Sequence, residues 1–169
     1  FVAPTGLKAI NMQKYIIKKA CENDIPVCFI AKVLDKGVSN FLLEDIIKKL
    51  AEEKELMIAP SVHYSPSSYA VADETSGTVH IEEDVFEAYL FQIFTNLLNA
   101  GLRNIYVVIH HQFEQENLMP MTLSYMKAAK RATMEYLEET MGQGWWGSES
   151  YANYYEQLEG ANNPFTWIK

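Results

Sequence analysis

Two imidazoles and a carboxylate follow directly on one apolar run: Asn104-Ile105-Tyr106-Val107-Val108-Ile109-His110-His111-Gln112-Phe113-Glu114. His111 is the first candidate for chemistry, because an imidazole beside a carboxylate can hold a divalent metal or act as a general base. Side chains alternate along a strand, so His110 is expected to face away from His111. Glu114, with Glu116, can complete a ligand set or take a catalytic proton. His63 opens a second polar stretch, Tyr64-Ser65-Pro66, after the short apolar run Leu56-Met57-Ile58-Ala59-Pro60. If the two runs are neighbouring parallel strands, His63 and His111 share one rim. The plain alternative for each is a hydrogen-bonded or solvated residue in a polar loop. His80, flanked by Val79 and Ile81, reads as structural. Ser65, Ser67 and Ser68 lack a nucleophile elbow, and no Walker A or G-x-G-x-x-G pattern is present.

The elements that position these residues follow from periodicity. Leu7 to Glu22 carries apolar residues on one face and lysines on the other, which predicts an amphipathic helix. Pro26 to Leu34 reads as a strand closed by Asp35-Lys36-Gly37. Ser39 or Asn40 can cap a helix from Phe41 to Lys54. Residues 56–60 predict a short buried strand, and 61–78 a long loop of the kind that often carries function. Glu82 to Ala100 is acidic at its start and stops at Gly101, a helix ending in a glycine turn. Residues 104–110 predict a buried parallel strand, and Pro120 opens a helix that reaches Gly142. Residues 1–4 read as the tail of one more strand. The alternation predicts a single α/β domain over 1–169, with a mainly parallel sheet and helices on both faces. In such sheets the site lies beyond the carboxyl ends of the strands. The segment 143–169 changes character, crowding Trp145, Trp146, Tyr151, Tyr154, Tyr155, Phe165 and Trp167, and is expected to pack on a neighbouring subunit.

Composition narrows the class. Of 169 residues 49% are apolar and 21% charged, so the chain can bury a core without staples. A net charge of −8 argues against a nucleic-acid or anionic-membrane surface, since both require a basic footprint. Two cysteines, Cys21 and Cys28, suggest buried thiols in a reducing, cytoplasmic compartment, with a disulfide between them left open. No signal peptide is visible, and no apolar run approaches a membrane span.

The order of motifs resembles the creatininase (creatinine amidohydrolase) family. The resemblance rests on Leu56-Met-Ile-Ala-Pro-Ser-Val-His-Tyr-Ser-Pro66, on Ser76-Gly77-Thr78-Val79-His80-Ile81, on the helix that follows, and on Leu102-Arg103-Asn104 leading to His111. It covers roughly residues 56–137. It implies the creatininase-like α/β fold, a divalent metal (zinc or manganese), amide hydrolysis and assembly into oligomers. His111 falls on the histidine of the family's Asn-Gly-His ligand motif, and Ser76-Gly77-Thr78 on its Pro-Gly-Thr. Glu114 matches a ligand carboxylate after a one-residue shift, and Glu149 stands in a faint echo of the late family motif. The departures are equally specific. Leu7-Lys8-Ala9 stands where the Glu-x-His-Gly turn belongs, and Ser39-Asn40 where Thr-Asp would supply a carboxylate.

Two functions follow from the resemblance. In one the chain is a catalytically degenerate family member, a structural or regulatory subunit partnered by itself or by a paralogous creatininase-like subunit. In the other it is an active metal-dependent amidohydrolase acting on a small cyclic or linear amide, with His111, Glu114 and Glu149 as metal ligands and Glu114 and His63 catalytic. The missing N-terminal ligands favour the first, with metal expected substoichiometric or absent. A ligand-binding module built on the 61–78 loop and the aromatic tail is a third reading.

Overall fold

The computed structural model describes residues 7–31, 39–66, 79–109, 120–154, 156 and 163–169. The order of elements is α1 (Leu7–Glu22), β1 (Val27–Ala31), α2 (Ser39–Glu53), β2 (Met57–Ile58), α3 (Glu83–Asn99), β3 (Ile105–Ile109) and α4 (Pro120–Met141). Short 3-10 turns follow at Trp145–Gly147, Glu149–Tyr151 and Pro164–Thr166. The three strands run parallel in the order β2-β1-β3, with Val27 opposite both Met57 and Ile105. The expected strand at residues 1–4 lies outside the described residues.

Strand order fixes where the helices go. The chain steps from β1 outward to β2, then crosses back over β1 to β3. Right-handed crossovers in opposite directions lay their helices on opposite faces of the sheet. Side-chain alternation shows the result. Val27, Ile105 and Val107 belong to the large core with Phe86, Leu90, Phe94 and Leu98 of α3 and Ala128 and Ala132 of α4. Cys28 and Val108, one residue out of phase, pack with Ile47 of α2 and Leu56 on the other face. The α3–α4 side holds most of the buried apolar volume, because both helices present small or aromatic residues at i, i+4 spacing there.

One strand-like segment has no sequence signal. Ile105 N–H donates to Trp167 O, Lys169 N–H to Ile105 O and Val107 N–H to Lys169 O, at 2.8, 2.9 and 2.7 Å. Residues 167–169 thus extend the sheet alongside β3, parallel to it. Arg103 secures this segment. Its guanidinium lies 4.4 Å from the Tyr136 ring centroid and 4.6 Å from that of Trp167, while it donates to the carbonyls of Leu98 and Leu102.

The aromatic tail is therefore less exposed than its composition implies. Trp145 is buried against Tyr151 and Tyr154, and Trp167 stacks edge-on to Tyr136. Of the three tryptophans only Trp146 is exposed, so the chain covers two of the rings that were expected to need a partner. Both cysteines are free thiols. Burial pushes the Cys28 thiol up from its ordinary range. Among the described residues no helix is long and apolar enough to cross a membrane.

Candidate functional site

The reversal of direction at β1 creates a topological switch between β1 and β3, and ligands in open α/β sheets bind outside the carboxyl ends at that point. Three features define the rim. β1 ends at Ala31 and β3 at Ile109, paired in register. α2 begins at Ser39-Asn40, on the chain that returns from β1. α3 begins at Glu83, with Glu82 as its N-cap residue. His110, His111, Glu114 and Glu116, which follow β3 in sequence, lie outside the described residues.

His63 is described. It follows β2 by five residues and is exposed, beside a depression of about 370 Å³ that it lines with Tyr64, Ile81, Val85, Phe86 and Tyr89. Because Val85 and Phe86 belong to the first turn of α3, this depression lies at the carboxyl end of the sheet. His63 does not, however, sit on a strand adjacent to β3. β1 intervenes, so the strands that precede His63 and His111 are two inter-strand spacings apart, roughly 9–10 Å.

Next to His63 the backbone forms a small bridge. Ser65 pairs with His80 in parallel, which buries Ser65 completely, and His80 Nε2 lies 3.7 Å from Glu82 Oε1. His80 is itself exposed. The α3 amino end adds Glu83 and Asp84, with Asp84 Oδ1 accepting from Val85 N–H. These acids suit the positive end of the helix dipole, which accounts for them without a ligand.

α3 and α4 run side by side in the same direction: Phe86 meets Tyr125, Arg131 lies 4.0 Å from the Phe91 ring centroid, and Tyr136 faces Arg103. Tyr136 is thus level with the residues that lead into β3, and α4 ends beyond it at Met141. Glu149, eight residues further on, is exposed. Among the described residues no three His, Cys, Asp or Glu side chains converge as a metal site; the His111 and Glu114 expected as ligands lie outside those residues.

Tyr125 was not singled out by sequence reasoning. It sits in the second turn of α4, 5.5 Å from the Phe86 ring centroid in an edge contact and 6.1 Å from that of Phe94. Its hydroxyl is buried and has no hydrogen-bond partner among the described residues. Burial, with a smaller contribution from Tyr89, raises its pKa well above the ordinary phenol value of 10.0. A tyrosine at a helical core position looks like any other aromatic in sequence, so no motif could have marked it.

Comparison with known proteins gives a consistent family. The family model described as creatininase, creatinine amidohydrolase, matches residues 34–163, reaching further in both directions than the motifs alone. No curated protein matches the chain in sequence. Among solved structures, a creatinine amidohydrolase (creatininase) superposes with a TM-score of 0.62 at 14% identity, covering 76% of this chain and 51% of that one. A creatininase described with Mn gives 0.62 at 15%, covering 89% and 64%. A mutant creatininase complexed with creatine gives 0.58 at 15%, covering 92% and 65%. Identities this low carry the fold alone. The chain spans about half to two thirds of the length of the structures it matches.

Proposed function

Because the chain belongs to the creatininase family, we propose that it uses that scaffold as a structural or regulatory subunit of an oligomer, partnered by itself or by a paralogous subunit, and that it does not hydrolyse amides. The observation that carries this reading is Asn40. It stands at the second residue of α2, on the return from β1 beside the switch point. Its side chain is a neutral amide where the family pattern has a carboxylate. An ion held among water molecules needs anionic or imidazole donors in a fixed array, and losing one carboxylate weakens it steeply. Creatininases described as Zn-Zn type and with Mn make zinc and manganese the ions to test. This chain is expected to hold at most one, weakly.

The second reading, an active amidohydrolase, is favoured by one observation. The sequence keeps His111 and Glu114 directly after β3, whose carboxyl end faces the switch point. Its substrate would be a small cyclic or linear amide.

Metal content separates the two. The purified protein is analysed for zinc and manganese by mass spectrometry, and creatinine hydrolysis is measured with each ion added. Substoichiometric metal without turnover is the expected result. Two tightly bound ions per chain, lost together with amide turnover on His111→Ala, would overturn the subunit reading and establish the enzyme.

A further inference from the structure

The solvent side of α3 is unlike the rest of this acidic chain. All three of its acids, Glu83, Asp84 and Glu87, lie in its first five residues, and the twelve residues from Ala88 to Asn99 carry no charge. The exposed positions along that stretch are Ala88, Tyr89, Gln92, Asn96 and Asn99. Charge depletion with an exposed tyrosine at the centre is the composition of an interface core, not of a solvated helix face.

This face also borders a groove. The depression beside His63 continues along α3 into a second one of about 440 Å³, walled by Ala59–Val62 on one side and by Tyr89, Ile93 and Leu97 on the other. Ser61, Val62 and Tyr89 line both. The α3 residues that line the groove run from Val85 to Leu97, about 18 Å at 1.5 Å per residue. The groove is acidic at one end, where Glu82, Glu83 and Asp84 are exposed, and neutral over the remainder.

One element of the same chain has the complementary character. α1 is 16 residues long, about 24 Å, and carries four lysines against one glutamate. Its outward stripe is Tyr15, Lys18, Lys19 and Glu22, spaced i, i+3, i+4, i+7. Tyr15 is 60% exposed and Ile16 beside it 44%, an unusual exposure for apolar side chains on a helix that is otherwise basic.

We infer that α1 of a second copy of this chain docks in the groove between α3 and residues 59–64. The contact is head-to-tail. α1 lies antiparallel to α3, so that Lys18 and Lys19 meet the Glu82–Asp84 end while Tyr15 and Ile16 cover Tyr89 and Ile93. The antiparallel arrangement also opposes the two helix dipoles favourably. The Lys18–Lys19 pair against the acidic end and the exposed Tyr15 and Ile16 against the neutral stretch agree with a helix-in-groove mode of recognition. Such a heterologous contact leaves one free groove and one free α1 on every pair, so it propagates into a ring or a chain. It also brings lysines of one subunit alongside His63 of the next. The inference rests on the subunit reading above and adds the surface through which the subunits join.

The test uses complementary variants of the full chain in sedimentation velocity at micromolar concentration. Tyr89→Arg breaks the groove and Tyr15→Glu breaks the helix stripe. Both residues are exposed (55% and 60%), and circular dichroism checks that each variant is folded. The wild type is expected to self-associate, and each variant alone to lose at least tenfold in association. An equal mixture is expected to form one-to-one pairs and nothing larger, because the intact α1 of one variant fits the intact groove of the other. Association abolished by Tyr89→Arg but untouched by Tyr15→Glu would show α3 meeting α3 and overturn the inference. An oligomer insensitive to both variants would overturn it while leaving the subunit reading in place. A monomeric wild type would overturn both.

Discussion

Replacing Tyr125 by Phe is expected to stabilise the protein, against the usual effect of deleting an atom from a core. The hydroxyl is buried and bonds to no protein group among the described residues, so folding takes it from bulk water without a protein partner in return. Leaving a buried polar group unsatisfied costs about 1–3 kcal/mol. Phe keeps the edge contact of the ring with Phe86 at 5.5 Å and the tilted contact with Phe94 at 6.1 Å. What is lost is the dispersion of one oxygen, a gap of roughly 12 Å³ that costs about 0.3 kcal/mol at ~24 cal/mol per Å³. The balance is a gain of about 1 kcal/mol, or a rise of about 2–4 °C in the midpoint for a chain of this size. Thermal and urea unfolding followed by circular dichroism measure it. A loss of 1 kcal/mol or more in the Phe variant would refute the reasoning, because the hydroxyl must then bond to something in solution. That something would place Tyr125 in contact with the rim at the start of α4.

Three further outcomes follow from the same geometry. Arg103→Ala is expected to destabilise by about 3 kcal/mol, since it removes charged hydrogen bonds to the carbonyls of Leu98 and Leu102 and the stacking on Tyr136 and Trp167; Arg103→Lys should recover less than half of this in urea titrations, because lysine has no planar fork. Gly101 has φ +95°, and a Cβ there would sit 3.1 Å from Cys21 Sγ, so Gly101→Ala should lose about 2 kcal/mol, with part restored when Cys21→Ala is added. Stability should be flat in pH below 9 as far as Cys28 and Tyr125 are concerned, and fall above it: both have raised values in the folded state, so the unfolded chain loses its protons first, from ordinary values of 9.0 and 10.0, and alkaline pH favours unfolding. Cys28→Ala should flatten the first part of that decline, and an unchanged alkaline limb would count against a buried neutral thiol.

The layers were legible in the sequence because periodicity reports burial directly. α1, α3 and α4 fall within a residue or two of their amphipathic patterns, and β1 and β3 lie inside the apolar runs 26–34 and 104–110. α2 starts at Ser39 and not Phe41, since a polar residue can occupy a first helical turn as readily as a cap. The segment 167–169 was missed because three residues, Trp167-Ile168-Lys169, carry no alternation to read; its place beside β3 is set by backbone hydrogen bonds and by Arg103. The site was legible only in part. His63 could be assigned to a strand end, but not to a strand order, and the order β2-β1-β3 separates its strand from β3. Glu149 entered through a motif echo alone.

On the subunit reading proposed above, that division between core and rim has a consequence for how such a chain loses chemistry and keeps its shape. The largest fully buried side chains are Phe86, Phe94, Leu90, Leu98, Ile105 and Val27. They come from α3, β3 and β1, and none is a donor that a metal or a substrate would need. His63 is exposed, and Asn40 starts a helix on the opposite layer from α3 and α4. Replacing His63 therefore removes no buried apolar area and opens no cavity, the two changes that dominate large losses of stability. Replacing Phe94 or Leu98 removes both protections at once. A subunit under pressure only to hold its shape and its contacts is then free to drift at the carboxyl rim while α3 and α4 stay fixed, and the charge-free outer face of α3 is the kind of surface that such a subunit would retain.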